Sequence, residues 1–182
     1  MDSEKQITEQ AVSLEELNVM LERVITFISN CDTKSSFVLS SLGVVMTILF
    51  TLKPIKFDTV KKVFCNASCD SIEYWILVVG IICIVIFIFG IYNLLNVLKA
   101  RIKPIGYPLS NVFFGDIAKS KTYNDYERLL NEATSENYRR DLITQIFINS
   151  RVCRKKHLLF NEGLKFVSYP LPLIFCCWGY LF

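Results

Sequence analysis

One histidine in 182 residues leaves little material for the commonest acid–base and metal chemistry. That residue, His157, has no cysteines at ligand spacing nearby, which removes a zinc site. There is no nucleophile elbow, no glycine-rich phosphate loop and no pair of carboxylates at useful spacing, so the chain reads as a non-enzyme with no catalytic residues. A secretory leader is not expected either: Met1 to Glu16 is acidic and polar, and the first apolar run begins deep inside a helical pattern. Cysteine is plentiful, at seven, but its spacing gives no disulfide scaffold. Cys31, Cys83, Cys153, Cys176 and Cys177 fall in apolar helical stretches and read as small core residues, leaving Cys65 and Cys69 to share a short polar loop. Those two bond only if the loop faces an oxidising compartment.

Charge is absent where length is greatest. Residues 35–52 hold 18 positions without a charged group, 74–98 hold 25 with only Asn93 and Asn96 strongly polar, and 166–182 hold 17 with none charged. With 52% apolar residues and 20% charged, this is a small membrane protein and not a pair of soluble domains. The dominant pattern is Leu14, Leu17, Leu21, Val24, Ile28, Cys31, Ser35, Val38, Leu42, Val45, Leu49, Leu52, a seven-residue apolar repeat that predicts one unbroken helix. At ~1.5 Å per residue it is roughly 58 Å long, about twice the hydrocarbon thickness of a bilayer. Half of it must therefore stand outside the lipid. Asp32 and Lys34 mark the crossing, about 200° apart around the helix, so each should meet a neighbouring element instead of the other.

The segments follow from this. Residues 1–34 form an N-terminal cytosolic helix, 35–52 a first transmembrane helix, 53–73 an extracytoplasmic loop and 74–98 a second transmembrane helix flanked by Tyr74, Trp75 and Lys99. Residues 99–165 form a cytosolic sensor segment with two helices, and 166–182 a third span or an interfacial helix containing Pro170 and Pro172. The fold class is all-α: long helices continuous from a cytosolic bundle into two or three transmembrane spans. Residues 99–165 carry 13 basic and 7 acidic groups, so the positive-inside rule puts them, and the amino terminus with them, in the cytoplasm.

Within 99–165, Pro104, Gly106 and Pro108 open an irregular stretch that is too apolar at Val112–Phe113–Phe114 to be disordered and should fold back on the helices. A short helix capped by Thr122, Asn124 or Asp125 is expected to bury Tyr126, Leu129 and Leu130. The last long helix offers two faces. Ile143, Ile146, Ser150, Cys153, His157, Phe160, Leu164 and Val167 form a mostly apolar seam suited to packing. Tyr138, Gln145, Asn149, Val152 and Lys156 lie within about a 60° arc as a polar stripe.

These residues resemble the transmembrane effectors of the Pycsar bacterial antiphage systems. The resemblance rests on Asp32 and Lys34 closing the first cytosolic helix and on the two spans. It continues in NVFFGDIAKSKTYNDYERLL, with FFGDIA at Phe113–Ala118, and in Gln145, Ser150 and Lys156 before a last apolar stretch. It covers residues 24–182 and departs at His157, where an aromatic is more usual. It implies a sensor of a cyclic pyrimidine mononucleotide, cCMP or cUMP, that a partner cyclase makes during infection. Assembly or rearrangement of the spans, as a homo-oligomer in the inner membrane, would then disrupt the bilayer; no nucleic acid is implied. A cyclic phosphate needs cationic or amide donors and an aromatic to stack on. Lys34, Asp32, Gln145, Asn149, Lys156, Tyr138, Phe114 and Asp116 are the candidate ligand residues. Each has a plainer reading: Asp32 paired with Lys156, Lys34 snorkelling at the lipid boundary, Gln145 and Asn149 as interhelical hydrogen-bond glue, Asp116 as a cap or turn residue, Arg151 to Lys156 as a headgroup patch. The alternative function is a small oligomeric scaffold or channel subunit without a nucleotide ligand.

Overall fold

The computed structural model describes residues 12–52, 72–99, 110, 111 and 113–181; Cys65 and Cys69 fall outside them. Among the described residues about 91% are helical and none lies in a strand, as the composition requires. The helices are α1 (Leu14–Leu52), α2 (Ile72–Lys99), α3 (Phe114–Ile117), α4 (Tyr123–Glu132), α5 (Ser135–Ser168) and α6 (Pro170–Leu181). By length and composition α1 and α2 are each able to cross a membrane.

Local chemistry sets the starts of these helices. Ser13 and Glu16 form a reciprocal capping box before α1: the Ser13 amide donates to Glu16 Oε2 at 2.8 Å, and the Glu16 amide to Ser13 Oγ at 3.2 Å. Thr122 caps α4 by accepting from the Asp125 amide at 3.2 Å, and Thr134 accepts from the Asn137 amide at the head of α5. Further along α1, the hydroxyls of Ser41, Thr47 and Thr51 donate to the carbonyls of Phe37, Gly43 and Thr47, so the charge-free half carries no unsatisfied hydroxyl proton at those positions. Pro170 stands at the first position of α6, where a missing amide proton costs nothing.

The chain divides into two compact units, Met1–Phe27 with Ile102–Arg151 and Ile28–Arg101 with Val152–Phe182. In the first, Leu17, Leu21 and Leu142 form the core, with Leu14 and Ile146 packed against it. In the second, Leu42, Cys83, Phe87, Leu94, Val167 and Ile174 do so, drawing on α1, α2, α5 and α6 together. Every residue of α1 that is fully buried, Leu17, Leu21, Cys31, Ser35, Leu42 and Leu49, belongs to the seam read from the sequence. The helix is unbroken through Cys31–Ser35.

The second unit is held at two close crossings. A Cβ on Gly90 would come within 2.8 Å of the Phe166 carbonyl carbon and of Val167 Cγ2. One on Gly163 would come within 2.9 Å of Leu94 Cγ and 3.1 Å of the Gly90 oxygen. The backbones of α2 and α5 therefore meet where each offers a glycine, and Phe89 and Phe166 stack edge to face beside them at 5.2 Å. Ser35 of α1, wholly buried, donates to the Leu94 carbonyl at 2.9 Å and ties the third helix to the same point. Beyond it α6 lies along α2, with Cys177 Cβ 3.6 Å from where a Gly80 Cβ would stand, and Trp178 against Phe50 of α1.

Two sequence expectations are corrected. The apolar seam assigned to α5 is only in part its packing face: Ile146, Phe160 and Val167 pack inward, but Ile143 is 47% exposed, and Ser150, His157 and Leu164 are exposed too. The inward face also takes in Leu142, Gln145, Lys156 and Gly163, which include part of the polar stripe. Apolar periodicity misled here because a glycine contact and an internal charge pair, not hydrophobicity alone, choose the face. On α4, no residue is buried, and Leu129 and Leu130 are each 45% exposed. Asn93, one of the two strongly polar residues of the 74–98 stretch, is buried.

Replacing Gly90 by Ala is expected to cost about 1–3 kcal/mol, because the added methyl meets backbone that cannot rotate away. The thermal midpoint of the detergent-solubilised variant measures this, with Gly43→Ala, which meets nothing within 4 Å, as the neutral comparison.

Candidate functional site

Lys156 is the most unusual side chain of the second unit, a lysine only 5% exposed. Burial of an ammonium is tolerable only with a partner, and Asp32 supplies it: Nζ donates to Oδ1 at 2.5 Å and to Oδ2 at 2.7 Å. The Asp32 side chain keeps about a third of its surface, at 35%, so the pair has one dry end and one wet end. Cys31 and Cys153 are close by, and burial pushes both thiols above the ordinary range, Asp32 adding to the shift at Cys31. Both therefore remain protonated at neutral pH and serve as packing, not as nucleophiles. Lys34 is exposed.

The first unit carries a separate polar assembly around the irregular segment. Asp116, in the single turn α3, accepts from the Ser110 amide at 3.1 Å and from Lys119 Nζ at 2.5 Å. Asp141 of α5 accepts from Ser110 Oγ and from the Asn111 amide, both at 2.9 Å, while Ser110 Oγ accepts from the Phe113 amide. Tyr126 of α4 donates its hydroxyl to the Asn111 carbonyl at 2.9 Å. The segment thus folds back onto α5, as expected, and two carboxylates fix it by accepting its amide protons. The Lys119 hydrogen bond, above all, holds the Asp116 carboxyl below the usual carboxylate range. A Cβ on Gly115 would lie 2.7 Å from the Phe113 ring, which would have to shift to admit it.

Of the candidate ligand residues, the structure joins Asp32 to Lys156 in one unit. Asp116, Tyr138, Gln145 and Asn149 belong to the other unit, where Tyr138 donates to Asn18 Oδ1 at 3.4 Å, Gln145 is buried and Asn149 is half-buried. The side chain of Phe114 lies outside the described ones. Sequence reasoning missed Ser110, Asn111, Tyr126 and Asp141. The Ser-Asn pair at the end of a proline-rich stretch was the available turn signal, but nothing in the sequence tied it to an acid 30 residues away.

With that geometry in place, the comparisons are informative. A family profile described as the Pycsar effector protein domain matches residues 16–182. The chain belongs to the Pycsar effector family. A Pycsar effector protein from Gulbenkiania mobilis, GmPycTM, is 27% identical over 180 residues, covering 91% of this chain and 88% of that protein. No solved structure matches. Membership makes this chain an antiphage defence effector associated with a membrane, in accord with α1 and α2, and Pycsar transmembrane effectors are not known as enzymes.

Two outcomes follow for these residues. Asp32→Ala strands a buried ammonium and is expected to cost about 3 kcal/mol, whereas Lys156→Met leaves a carboxylate that reaches water and costs less; thermal midpoints in detergent give the order. For Asp116 the folded value lies below the unfolded one, so its contribution is complete above about pH 4 and fades as pH falls through the depressed value. The midpoints of Asp116→Asn and the parent, apart at pH 6, should converge at the acid end.

Proposed function

We propose that this Pycsar effector senses a cyclic pyrimidine mononucleotide, cCMP or cUMP, on the cytoplasmic side of the bacterial inner membrane and responds by disrupting that membrane. The observation that carries the reading is the single 39-residue helix α1, which has charged residues through Lys34, none from Ser35 to Leu52, and no break between. A rod of that kind passes a change at its charged end into the lipid without a hinge to absorb it.

In this reading residues 1–34 and 99–165 are cytoplasmic, α1 beyond Ser35 and α2 span the bilayer, and residues 166–182, which track α2 past Gly80, form a third crossing. Lys34, exposed where the charge ends, reaches the headgroups. The Asp32–Lys156 pair acts as an internal clasp just outside the lipid. Several copies assemble when the nucleotide binds, and a pyrimidine cyclase supplies it. Support comes from the family, from the charge step along α1 and from the basic excess of residues 99–165.

The test is co-expression in bacterial cells of the effector with an active or an inactivated pyrimidine cyclase, followed by a potential-sensitive dye. Depolarisation is expected only with the active cyclase, and Asp32→Ala should abolish it. Equal depolarisation with both cyclases, or none with either, would overturn nucleotide gating and favour a scaffold.

A further inference from the structure

The sequence motif NVFFGDIAKSKTYNDYERLL supplies most of the lining of one cleft. That cleft, of about 200 Å³, lies in the first unit between the loop at Ser110 and the helix α4. Ile117, Leu129 and Tyr126 contribute apolar surface, Lys119, Ser120 and Arg128 contribute donors, and two carboxylates also line it, Asp116, engaged by Lys119 and the Ser110 amide, and Asp125, engaged by the Thr122 hydroxyl. The Tyr126 hydroxyl is committed to the Asn111 carbonyl, so what Tyr126 offers the cleft is its ring. Lys119 is held by Asp116, and its side chain is 63% exposed. Arg128 is exposed and, among the described residues, makes no ion pair or hydrogen bond.

An apolar wall beside a free guanidinium, a displaceable ammonium and a hydroxyl suits a ligand with one flat ring and one phosphate. Arginine engages phosphate through paired N–H donors, and an aromatic ring accepts a base by stacking regardless of its identity. The charged residues seen first in the sequence fit such a ligand less well, since Lys156 is buried and both its carboxylate contacts are already made. The leucine at 129, exposed on a helix with no buried residue, also gains a purpose as part of a wall that a ligand covers.

We propose that this cleft, with Arg128 and Lys119 as phosphate contacts and Tyr126 as the ring surface, is where the effector takes its nucleotide; this rests on the sensing function proposed above. The ligand phosphate competes with Asp116 for Lys119. Asp116 and Asp141 hold opposite sides of Ser110, through its amide and its hydroxyl, so loss of the Lys119 contact changes the clamp that joins the cleft to α5. Binding is thereby read by α5 without any ligand contact to that helix.

The test is calorimetric titration of the full chain in nanodiscs with cCMP and cUMP, and with 5′-CMP and inorganic phosphate as controls. Arg128→Ala, at an exposed position, should leave the thermal midpoint unchanged and weaken cyclic-nucleotide binding at least tenfold, about 1.4 kcal/mol. Lys119→Ala should weaken it less, and Arg140→Ala, which removes an exposed cation elsewhere in the same unit, should not change it. If the parent binds and both cleft variants bind equally well, the cleft is not the site, and nucleotide sensing stands without it. If the parent binds neither cyclic nucleotide at millimolar concentration, the sensing function falls and the cleft assignment with it.

Discussion

A lysine ammonium cannot be left alone in a packed interior, and much of the second unit follows from meeting that requirement. Because Lys156 is buried, α5 must turn toward Asp32, and α1 must present the residue that lies next to its seam position Cys31. The rotation of α5 that satisfies the pair also brings Gly163 and Val167, two and three turns further on, against α2. One electrostatic contact therefore sets the face on which an otherwise amphipathic helix packs. Such pairs add little net stability compared with an apolar core of equal volume, but removing one partner strands the other.

Below that contact, close approach replaces hydrophobic drive as the organising principle. Where two helix backbones come this close, dispersion at short range and directed hydrogen bonds hold them. Gly90 and Gly163 allow the backbones of α2 and α5 to touch, and Ser35 places a hydroxyl on the Leu94 carbonyl at the same level. The exposed apolar side chains of α2, Ile82, Val85, Ile88 and Phe89 among them, are ordinary for a surface that meets acyl chains.

The irregular segment of the first unit obeys a different rule. It is positioned by carboxylates that accept backbone amide protons: Asp116 from within the segment and Asp141 from α5. Loops fixed in this way are stiff yet respond to charge, since adding or removing a cation beside either acid alters the hydrogen bonds that shape them. That combination suits a recognition element better than a purely apolar contact would.

The sequence alone determined the extent of α1, which helices are long and apolar enough to cross a membrane, and the family. A twelve-member heptad repeat, a charge step at Lys34 and a motif of twenty residues are all properties of the chain read in one dimension. It also held the Asp32–Lys156 pairing as one of two readings. Only the tertiary structure decided which face of α5 turns inward, that Leu129 and Leu130 stay exposed, and that Asp141 clamps a loop 30 residues earlier. Each of those depends on what stands opposite: periodicity describes a single helix, while burial is a property of two surfaces, and here a charge pair and a pair of glycines outweighed the apolar pattern.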